Sequence, residues 1–354
     1  MRIERRPAME VHAFHRIGAV AFGVVAALAF GVIVSGTTLD VFNDLWTSSF
    51  GTPRGIEDVA TLALPLLLTG LAAMIPLRLG LWNIGGEGQL FIGAWAAAGI
   101  GFALPDLSAP VLIPLMIVAS LIGGAVFVLL PALARVHFNV NEIITTLLLN
   151  FVAAFWVLYW AGKPWRDPTS VGGVKSESIP SQAEIPLLMF GSVEIPAGFL
   201  IAVAIAVLVW VIIRQTTLGY EVTMLGASPD SARFAGIPTQ RLLVYALLAG
   251  GAMAGLAGAL EMMGNAHRFG GGLSNNTGYT GIVIAVLAAG SALGVVALSI
   301  VFALIAIIGG IFRAEGASAE IVLAMYGLTL IFASVGQGLA QFKLVRREEA
   351  TDVG

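Results

Sequence analysis

Six polar side chains lie within otherwise apolar stretches of the sequence, and they are the first candidates for chemistry. They form two groups, Asn83, Glu87 and Gln89 in a glycine-rich stretch, and Glu142, Thr146 and Asn150 further along. The intervals of four in the second group place its members along one face of a helix. Such side chains can line a path for a solute, bind a proton or a cation, or hydrogen-bond to main-chain groups that a broken helix leaves free. For both groups we favour the structural role, and lining a path is the alternative.

The composition indicates that these side chains belong to a membrane protein. Of the 354 residues, 58% are hydrophobic and only 11% are charged, whereas a soluble domain has about 25% charged residues. At about 20 residues for each span, the apolar segments predict about ten transmembrane helices. The expected fold class is therefore an all-α polytopic membrane protein with a single transmembrane domain over residues 1–354.

Several classes of chemistry are excluded. The chain has no cysteine, so disulfides, thiolate catalysis and cysteine-ligated metals cannot occur. His137 and His267 have no carboxylate or second histidine at ligand spacing, so we expect no metal site. The net charge is −3 without any basic block, which gives no indication of nucleic-acid binding. The patterns GxxxxGK[ST], HExxH and GxSxG are absent from the sequence, so it has no phosphate-binding loop of an ATPase and neither of these hydrolase motifs.

Two of the ten apolar segments do not fit a continuous span. Residues 78–99 carry three of the polar side chains and several glycines. Irregular backbone at membrane depth must be buried in protein or reached by water, so a broken or late-starting helix is predicted there. Residues 279–289 form an apolar piece of 11 residues, which predicts a half-length helix near a transport path.

In residues 240–262, small residues four apart, among them Gly251 and Gly255, predict close packing between helices.

The distribution of Lys and Arg predicts the orientation in the membrane. When the segments alternate across the bilayer, both termini lie on one side together with 12 of the 18 basic residues, and that side is expected to be the cytoplasm. The other six are Arg54, Lys163, Arg166, Lys175, Arg268 and Arg313. The proline-rich residues 162–196 are then predicted to form a periplasmic loop, and residues 215–239 a cytoplasmic loop.

The stretch of residues 219–238 is a polar interruption between two apolar runs, and its centre can form a helix. Ser228 or Asp230 can cap the start of this helix, and Pro229 fits its first turn. Gly236 ends it, so the predicted helix covers residues 229–235. The residues alone allow two interpretations, a capped turn in solvent or a helix that docks a partner protein.

Four polar or glycine-rich segments follow one another in a recognisable order. They are LWNIGGEGQLFIGA from residue 81, VNEIITTLLLN from residue 140, GYEVTMLGASPDSARFAGI from residue 219 and LLAGGAMAGLAGALEMMG from residue 247. Together they resemble the permease subunits of ABC importers that serve branched-chain amino acids, simple sugars and nucleosides. The resemblance covers nearly the whole chain. The long first periplasmic connection and the VNE motif look most like the nucleoside-type permeases.

This resemblance implies that the cytoplasmic loop contains a coupling helix, which sits in a groove of an ATPase subunit. The positions carried over are Gly226, Ala227, Pro229, Ala232, Phe234 and Gly236. The alanines would allow a close approach, the glycines would set the bends, and Phe234 would supply the apolar anchor. Relatives commonly have an asparagine before the proline, where this chain has Ser228.

The resemblance also implies the rest of the assembly. The chain is expected to be a non-catalytic, multi-pass permease in the bacterial cytoplasmic (inner) membrane, surrounded by lipid. Separate ATPase subunits would bind ATP and Mg²⁺, and no cofactor is expected on this chain. A second, related permease and a periplasmic or lipoprotein substrate-binding protein are the other expected partners. Nucleosides are the expected solutes, with simple sugars or branched-chain amino acids as the alternative. The six polar side chains would then hydrogen-bond a ribose or a base, or only stabilise the broken helices.

Two other classes of function are weighed against the importer. An ion-coupled secondary transporter or channel would use Glu87 and Glu142 as proton or cation sites. An intramembrane enzyme would need a nucleophile or metal motif that the sequence lacks. A requirement for a separate ATPase in uptake separates the importer from the secondary transporter.

Overall fold

The structure, a computed structural model, describes residues 2–5, 13–36, 40–169, 174–318, 320–340 and 342–345. Arg6, Arg346 and Arg347, which contribute to the predicted charge asymmetry, lie outside the described residues. The chain forms two compact units, Met1–Leu45 with Ile305–Gly354, and Trp46–Leu304. All the candidate functional residues belong to the second unit.

The helices are, in chain order, α1 (Ala13–Ser35), α2 (Val41–Ser49), α3 (Pro53–Leu77), α4 (Gly86–Ala103), α5 (Ala109–Phe138), α6 (Glu142–Gly162), α7 (Ala197–Gln215), α8 (Thr217–Ala227), α9 (Pro229–Phe234), α10 (Thr239–Glu261), α11 (Thr277–Leu287), α12 (Ala292–Ala314) and α13 (Ile321–Ala340). The strands are β1 (Arg2–Arg5), β2 (Lys175–Ser178), β3 (Leu187–Phe190), β4 (Val193–Pro196), β5 (Arg268–Gly270) and β6 (Phe342–Val345). Short helical turns lie at Ser181–Ala183, Met262–Ala266 and Gly271–Leu273.

In the first unit, helices α1 and α13 pack along each other. A Cβ atom on Gly23 of α1 would collide with the carbonyl oxygen of Thr329 in α13. The rings of Phe22 and Phe332 meet edge to face with centroids 5.8 Å apart, an arrangement that aromatic pairs favour. Strands β1 and β6 pair in antiparallel fashion.

The second unit is built around α10, which packs against α3, α4 and α5. Gly251 and Gly255 of α10 meet α5 at Gly124, and a Cβ atom on any of these three glycines would collide with main-chain atoms of the facing helix. Gly258 approaches the carbonyl oxygen of Leu90 in α4 just as closely. Glycine lets helices in lipid approach until their main chains touch. The predicted packing of residues 240–262 through small residues is confirmed.

The helices support a polytopic membrane protein. In the described part of the chain, seven helices are long and apolar enough to cross a membrane: α1, α3, α5, α6, α7, α10 and α12. In its most apolar window α3 is 83% buried within the protein, whereas α7 is 17% buried. Helix α3 is therefore an inner helix, and α7 presents most of its surface outwards.

Each of the ten predicted segments contains a helix, and the all-α polytopic fold class is confirmed. The number of spans and the side on which the termini lie stay predictions. Helix α4 starts late, at Gly86, and α11 has only 11 residues, as predicted. The sequence did not predict α8 or the three two-stranded sheets. Strands β2, β3 and β4 lie in residues 162–196, where only an extended loop was expected.

Candidate functional site

The main chain is unwound between α3 and α4. Helix α3 ends at Leu77, Gly80 adopts a φ of 75°, and α4 begins only at Gly86. The N–H groups of residues 78–81 donate to carbonyl groups near the end of α3, but those of Trp82 and Ile84 have no partner in either helix, and within a membrane other parts of the protein must bind them. Their partners come from α6.

Glu142 and Thr146 of α6 bind the first part of the unwound stretch. The main-chain N–H of Trp82 donates to Glu142 Oε1 at 3.3 Å, and that of Ile84 donates to Thr146 Oγ1 at 3.3 Å. The other carboxylate oxygen of Glu142 lies 3.2 Å from Nε of Arg135 and forms an ion pair with it. The polar stripe predicted on α6 is therefore present, and it contacts the main chain of the neighbouring segment.

Asn150, two turns beyond Glu142 on α6, joins three segments. Its Oδ1 accepts a hydrogen bond from the Gly88 N–H at 2.9 Å. Its Nδ2 donates to the Ile84 carbonyl and to the Tyr279 hydroxyl, each at 3.0 Å. A buried amide that uses both its donor and its acceptor in this way holds the start of α4 against α11.

The N-terminal ends of α4 and α11 meet at Glu87. This side chain lies in the first turn of α4, and its Oε2 accepts a hydrogen bond from the Gly278 N–H, in the first turn of α11, at 2.8 Å. A Cβ atom on Gly278 would collide with the main chain of Glu87. The unpaired N–H groups at two helix starts favour an acceptor of negative character between them. Ser274 Oγ supplies a further acceptor, for the Thr277 N–H at 3.2 Å.

Asn83 and Gln89 pair with each other across the break. Asn83 Nδ2 donates to Gln89 Oε1 at 2.8 Å, and Gln89 Nε2 donates to Asn83 Oδ1 at 2.7 Å. Asn83 Nδ2 also lies 3.5 Å from the Ala72 carbonyl of α3. The reciprocal pair ties the unwound stretch to the first turn of α4.

The structure brings all six predicted path residues together around this break. None is more than 9% exposed, and each has a hydrogen-bond partner within the chain. The arrangement can hold two interrupted helices in a fixed geometry, and contact with a solute stays a prediction. Tyr279 and Ser274 take part although the sequence analysis did not single them out. Their position in the sequence could have indicated them, because both lie at the start of the half-length helix.

The cytoplasmic loop predicted from the sequence forms two helices, α8 and α9. The Ser228 N–H donates to the Met224 carbonyl at the end of α8, and Ser228 Oγ accepts from the Ser231 N–H at 3.3 Å and so caps α9. Pro229 is the first residue of α9, and Gly236 beyond its end has a φ of 78°. The predicted short helix is confirmed, with Ser228 as its cap.

Helix α9 has an inner face that packs on its own chain and an outer face that does not. Ala232 is fully buried in a cluster with Leu79, Leu225 and Leu242. Phe234 is 97% exposed, more than any other large hydrophobic side chain in the described residues. Asp230 lies beside it with an equally open side chain.

The six predicted coupling residues therefore divide into two sets. Ala232 and Gly226 contact this chain, since a Cβ atom on Gly226 would collide with the carbonyl oxygen of Arg78. Gly226 is nevertheless exposed, as are the other four, Ala227, Pro229, Phe234 and Gly236. Docking of this surface to an ATPase stays a prediction.

A polar contact ties residues 162–196 to the chain beyond α10. Strand β2 pairs with β5, Arg268 donates to the Asp167 carboxylate, and the Thr169 hydroxyl donates to the same carboxylate at 2.6 Å. The hydrogen bond from Thr169, followed by that from Arg268, lowers the pKa of Asp167 to about 2. The carboxylate is therefore ionised at neutral pH and holds this loop in place.

Comparison with known proteins identifies the family. The family described as "Branched-chain amino acid transport system / permease component" matches residues 55–334. The glucose ABC transporter permease protein TsgB13 of Haloferax volcanii is 33% identical over 319 residues, which cover 86% of this chain and 83% of that protein. The nucleoside ABC transporter permease protein NupB of Lactococcus lactis is 26% identical over 344 residues, 94% of each chain. The guanosine ABC transporter permease protein NupP of Bacillus subtilis is 28% identical over 279 residues, 78% of this chain and 80% of that one.

A second permease protein from each of these three organisms is also similar to the chain. The family match includes the unwound stretch, the polar stripe of α6 and helices α8 and α9. The chain therefore belongs to the family of branched-chain amino acid transport system permeases and is an ABC transporter permease subunit.

Proposed function

We propose that the chain is the transmembrane subunit of an ATP-driven importer of nucleosides in a bacterial cytoplasmic membrane. The observation that carries this assignment is the similarity, over 94% of both chains, to a nucleoside permease. The guanosine permease of Bacillus subtilis supports it. Import of a simple sugar is the second candidate, because the glucose permease of Haloferax volcanii is 33% identical to the chain.

In this proposal the chain crosses the membrane ten times and both termini lie in the cytoplasm. Helix α11 then enters from the periplasmic loop after α10 and starts near mid-membrane. Two contacts support this arrangement. Gly278 at the start of α11 meets Glu87 at the late start of α4, and Gly290 beyond the end of α11 meets Arg78 at the end of α3. The second contact supports a position of the α11 end beside the end of α3, which is the cytoplasmic end in this proposal.

Helix α9 is the proposed docking element for the ATPase subunit. Its inner face is anchored by Ala232, so the outer face is presented in a defined position, and Phe234 projects from it. Moving a Phe side chain from water into an apolar groove contributes about 1.5–3 kcal/mol. Aromatic side chains of this kind commonly dominate the energy of an interface. Ala227 and Pro229 add small, rigid contact surface beside it.

Movement of the ATPase subunits drives the transport cycle in this proposal. ATP and Mg²⁺ bind to those partners, and their closure shifts α9 together with the flanking helices α8 and α10. This chain makes and breaks no covalent bond. A second, related permease completes the path, and the presence of two similar permease proteins in each of three organisms supports this.

Selection of the solute is assigned mainly to an external substrate-binding protein. The six polar side chains at the break are buried and hydrogen-bonded within the chain. Buried polar groups that already have partners offer few free donors and acceptors to a ribose or a base. The alternative in which they line the path predicts that their substitution changes the KM for uptake.

The test is uptake by proteoliposomes that contain the chain, its second permease and the ATPase, with the substrate-binding protein added on the outside. We expect ATP-dependent uptake of labelled guanosine or uridine and no uptake of glucose. The control is an ATPase variant that binds ATP without hydrolysing it. Uptake of glucose alone would establish the sugar alternative. Uptake that needs an ion gradient and no ATPase would contradict the importer.

A further inference from the structure

We propose that Arg78 is the positioning residue that links the coupling helix α9 to the broken-helix site at Glu87. This inference rests on the proposed importer function, because it concerns the route by which movement of α9 reaches the half-length helix α11. Arg78 contacts neither the solute nor the nucleotide in this proposal. It acts by holding the end of α11.

On one side, Arg78 is packed against the coupling loop. Gly226 of α8 lies so close to the carbonyl oxygen of Arg78 that no Cβ atom fits between them. The next residue, Leu79, shares a buried cluster with Leu225 of α8 and Ala232 of α9. Close-packed elements transmit a displacement because few voids absorb it. A shift of α9 therefore displaces the main chain at Arg78.

On the other side, the Arg78 side chain holds the C-terminal end of α11. Its guanidinium donates a hydrogen bond to the Gly290 carbonyl, and a cationic donor at this end of a helix complements the unpaired carbonyl groups. Ala289 and Gly290 have φ values of 48° and 78°, and the left-handed conformation is unfavourable for alanine. The Arg78 contact keeps this turn, which separates α11 from α12, in place.

Helix α11 is short enough to act as a rigid rod between two attachments. Its 11 residues span about 16 Å. Its C-terminal end is attached through Gly290 to Arg78, and its N-terminal end through Gly278 to Glu87. Thr69 Oγ1 also donates to the Thr277 carbonyl at 3.2 Å. A displacement of Arg78 is thereby carried to the start of α4.

Packing against α8 is close at the main chain of Arg78, and a cavity lies beside its side chain. Leu77, Arg78, Thr223, Ala289 and Gly290 line a cavity of about 330 Å³ between α3, α8 and α11. Arg241, exposed in the first turn of α10, carries the same charge and provides a matched control.

The experiment uses the full complex in proteoliposomes and measures three quantities: the ATPase subunit retained per permease, the ATPase rate, and the solute imported per ATP hydrolysed. In Arg78→Gln we expect retained ATPase and a wild-type basal ATPase rate, with import per ATP reduced about tenfold, the factor that corresponds to the free energy of one charged hydrogen bond. Arg78→Lys keeps a charged donor and should restore part of the ratio. Arg241→Gln should keep the wild-type ratio.

Each outcome decides between the inference and the importer itself. If the wild-type chain retains no ATPase, the proposed function fails. If the chain retains ATPase and imports solute, and both Arg78→Gln and Arg78→Lys have the wild-type import per ATP, only the role of Arg78 is overturned. If Arg78→Gln does not assemble, Arg78→Lys tests the role of Arg78. The proposal then requires that Arg78→Lys imports less solute per ATP than the wild type. An equal loss in Arg241→Gln would assign the effect to surface charge and also overturn the proposal.

Discussion

Replacement of Asn150 by leucine tests whether side chains of α6 hold the break between α3 and α4. Leucine has the same branching and the same number of heavy atoms as asparagine, so the substitution removes hydrogen bonds without opening a cavity. Three groups lose their partner: the Gly88 N–H, the Ile84 carbonyl and the Tyr279 hydroxyl. We expect a less stable start of α4 and no direct effect on solute binding.

The magnitude follows from these three groups. The Gly88 N–H lies in the first turn of α4, has no place in the helical ladder and stays buried, so leaving it unpaired costs about 1–3 kcal/mol. The carbonyl and the hydroxyl can find other partners, and hydrogen bonds between membrane helices contribute about 0.6 kcal/mol each on average. Asn150→Leu should therefore lower the free energy of unfolding by about 2–4 kcal/mol.

The assay is reversible unfolding of the purified chain in mixed micelles with rising detergent denaturant, followed by tryptophan fluorescence. Hydrogen exchange measured by mass spectrometry adds the location, because residues 82–88 should exchange faster in the variant. Thr145→Ala is the control on the same helix. Thr145 Oγ1 donates only to the Asn141 and Glu142 carbonyls of its own helix, so this change should cost less than about 0.5 kcal/mol.

Two results would refute the reasoning. If Asn150→Leu unfolds with the wild-type free energy and residues 82–88 exchange at the wild-type rate, the side chain does not hold the break. If stability is unchanged but the KM for uptake rises, Asn150 contacts the solute and the path-lining alternative is correct. Uptake should be expressed per folded complex, since loss of folded protein also lowers the total.

Three further predictions concern other parts of the second unit. Phe234→Asp should weaken binding of the ATPase subunit at least about tenfold, as expected from the loss of about 1.5–3 kcal/mol of apolar burial. Phe234→Leu should keep most of the affinity. Pull-down titration measures both variants, and unchanged binding by Phe234→Asp would rule out docking through this ring. Glu142→Gln keeps an acceptor for the Trp82 N–H but loses the ion pair with the partly exposed Arg135. The free energy of unfolding should therefore fall by about 1 kcal/mol, and uptake per folded complex should stay at the wild-type rate. A changed KM for uptake would mean that the carboxylate contacts the solute. For Asp167 the folded pKa of about 2 lies below the unfolded value of about 3.9, so its stabilisation is fully present above that unfolded value and is lost as pH falls through the folded one. The free-energy difference between wild type and Asp167→Asn should therefore shrink from pH 4 to pH 2, and a difference that does not change over this range would contradict the assignment.

The apolar helices and the late start of α4 were predictable because the membrane imposes simple rules on the sequence. A span needs a long apolar run, and a carboxylate or amide inside such a run needs a partner. Asn83, Glu87 and Gln89 therefore mark the unwound region in the sequence. The spacing of Glu142 and Asn150 marked one face of α6 in the same way.

The partners of these side chains were not predictable. The α6 stripe binds main-chain groups of Trp82, Ile84 and Gly88. Because nearly every residue type has the same main-chain groups, the sequence does not indicate which of them accept or donate these bonds. The Tyr279 hydroxyl lies 129 residues from Asn150 along the chain, and periodicity does not reach over such a distance. Strands β2 and β5 were not predictable for a similar reason, since each is short and a long stretch of chain separates them.

Helix α8 was missed for a different physical reason. Gly219, Thr223 and Gly226 reduce the intrinsic helix propensity of residues 217–227. Tertiary packing overrides this, because the place of Gly226 against Arg78 admits no side chain. A glycine that looks like a helix breaker in the sequence is here the residue that allows the helix to pack.

The exposure of Phe234 also bears on how much of this protein a cell retains. In an unassembled chain the large apolar ring of Phe234 is exposed to water on a well-formed helix. Exposed apolar surface promotes association with other proteins. Chaperones and proteases continuously remove chains that present such surface. The amount of permease in the membrane should therefore follow the amount of ATPase subunit, so that subunit stoichiometry is set after synthesis by which chains are covered.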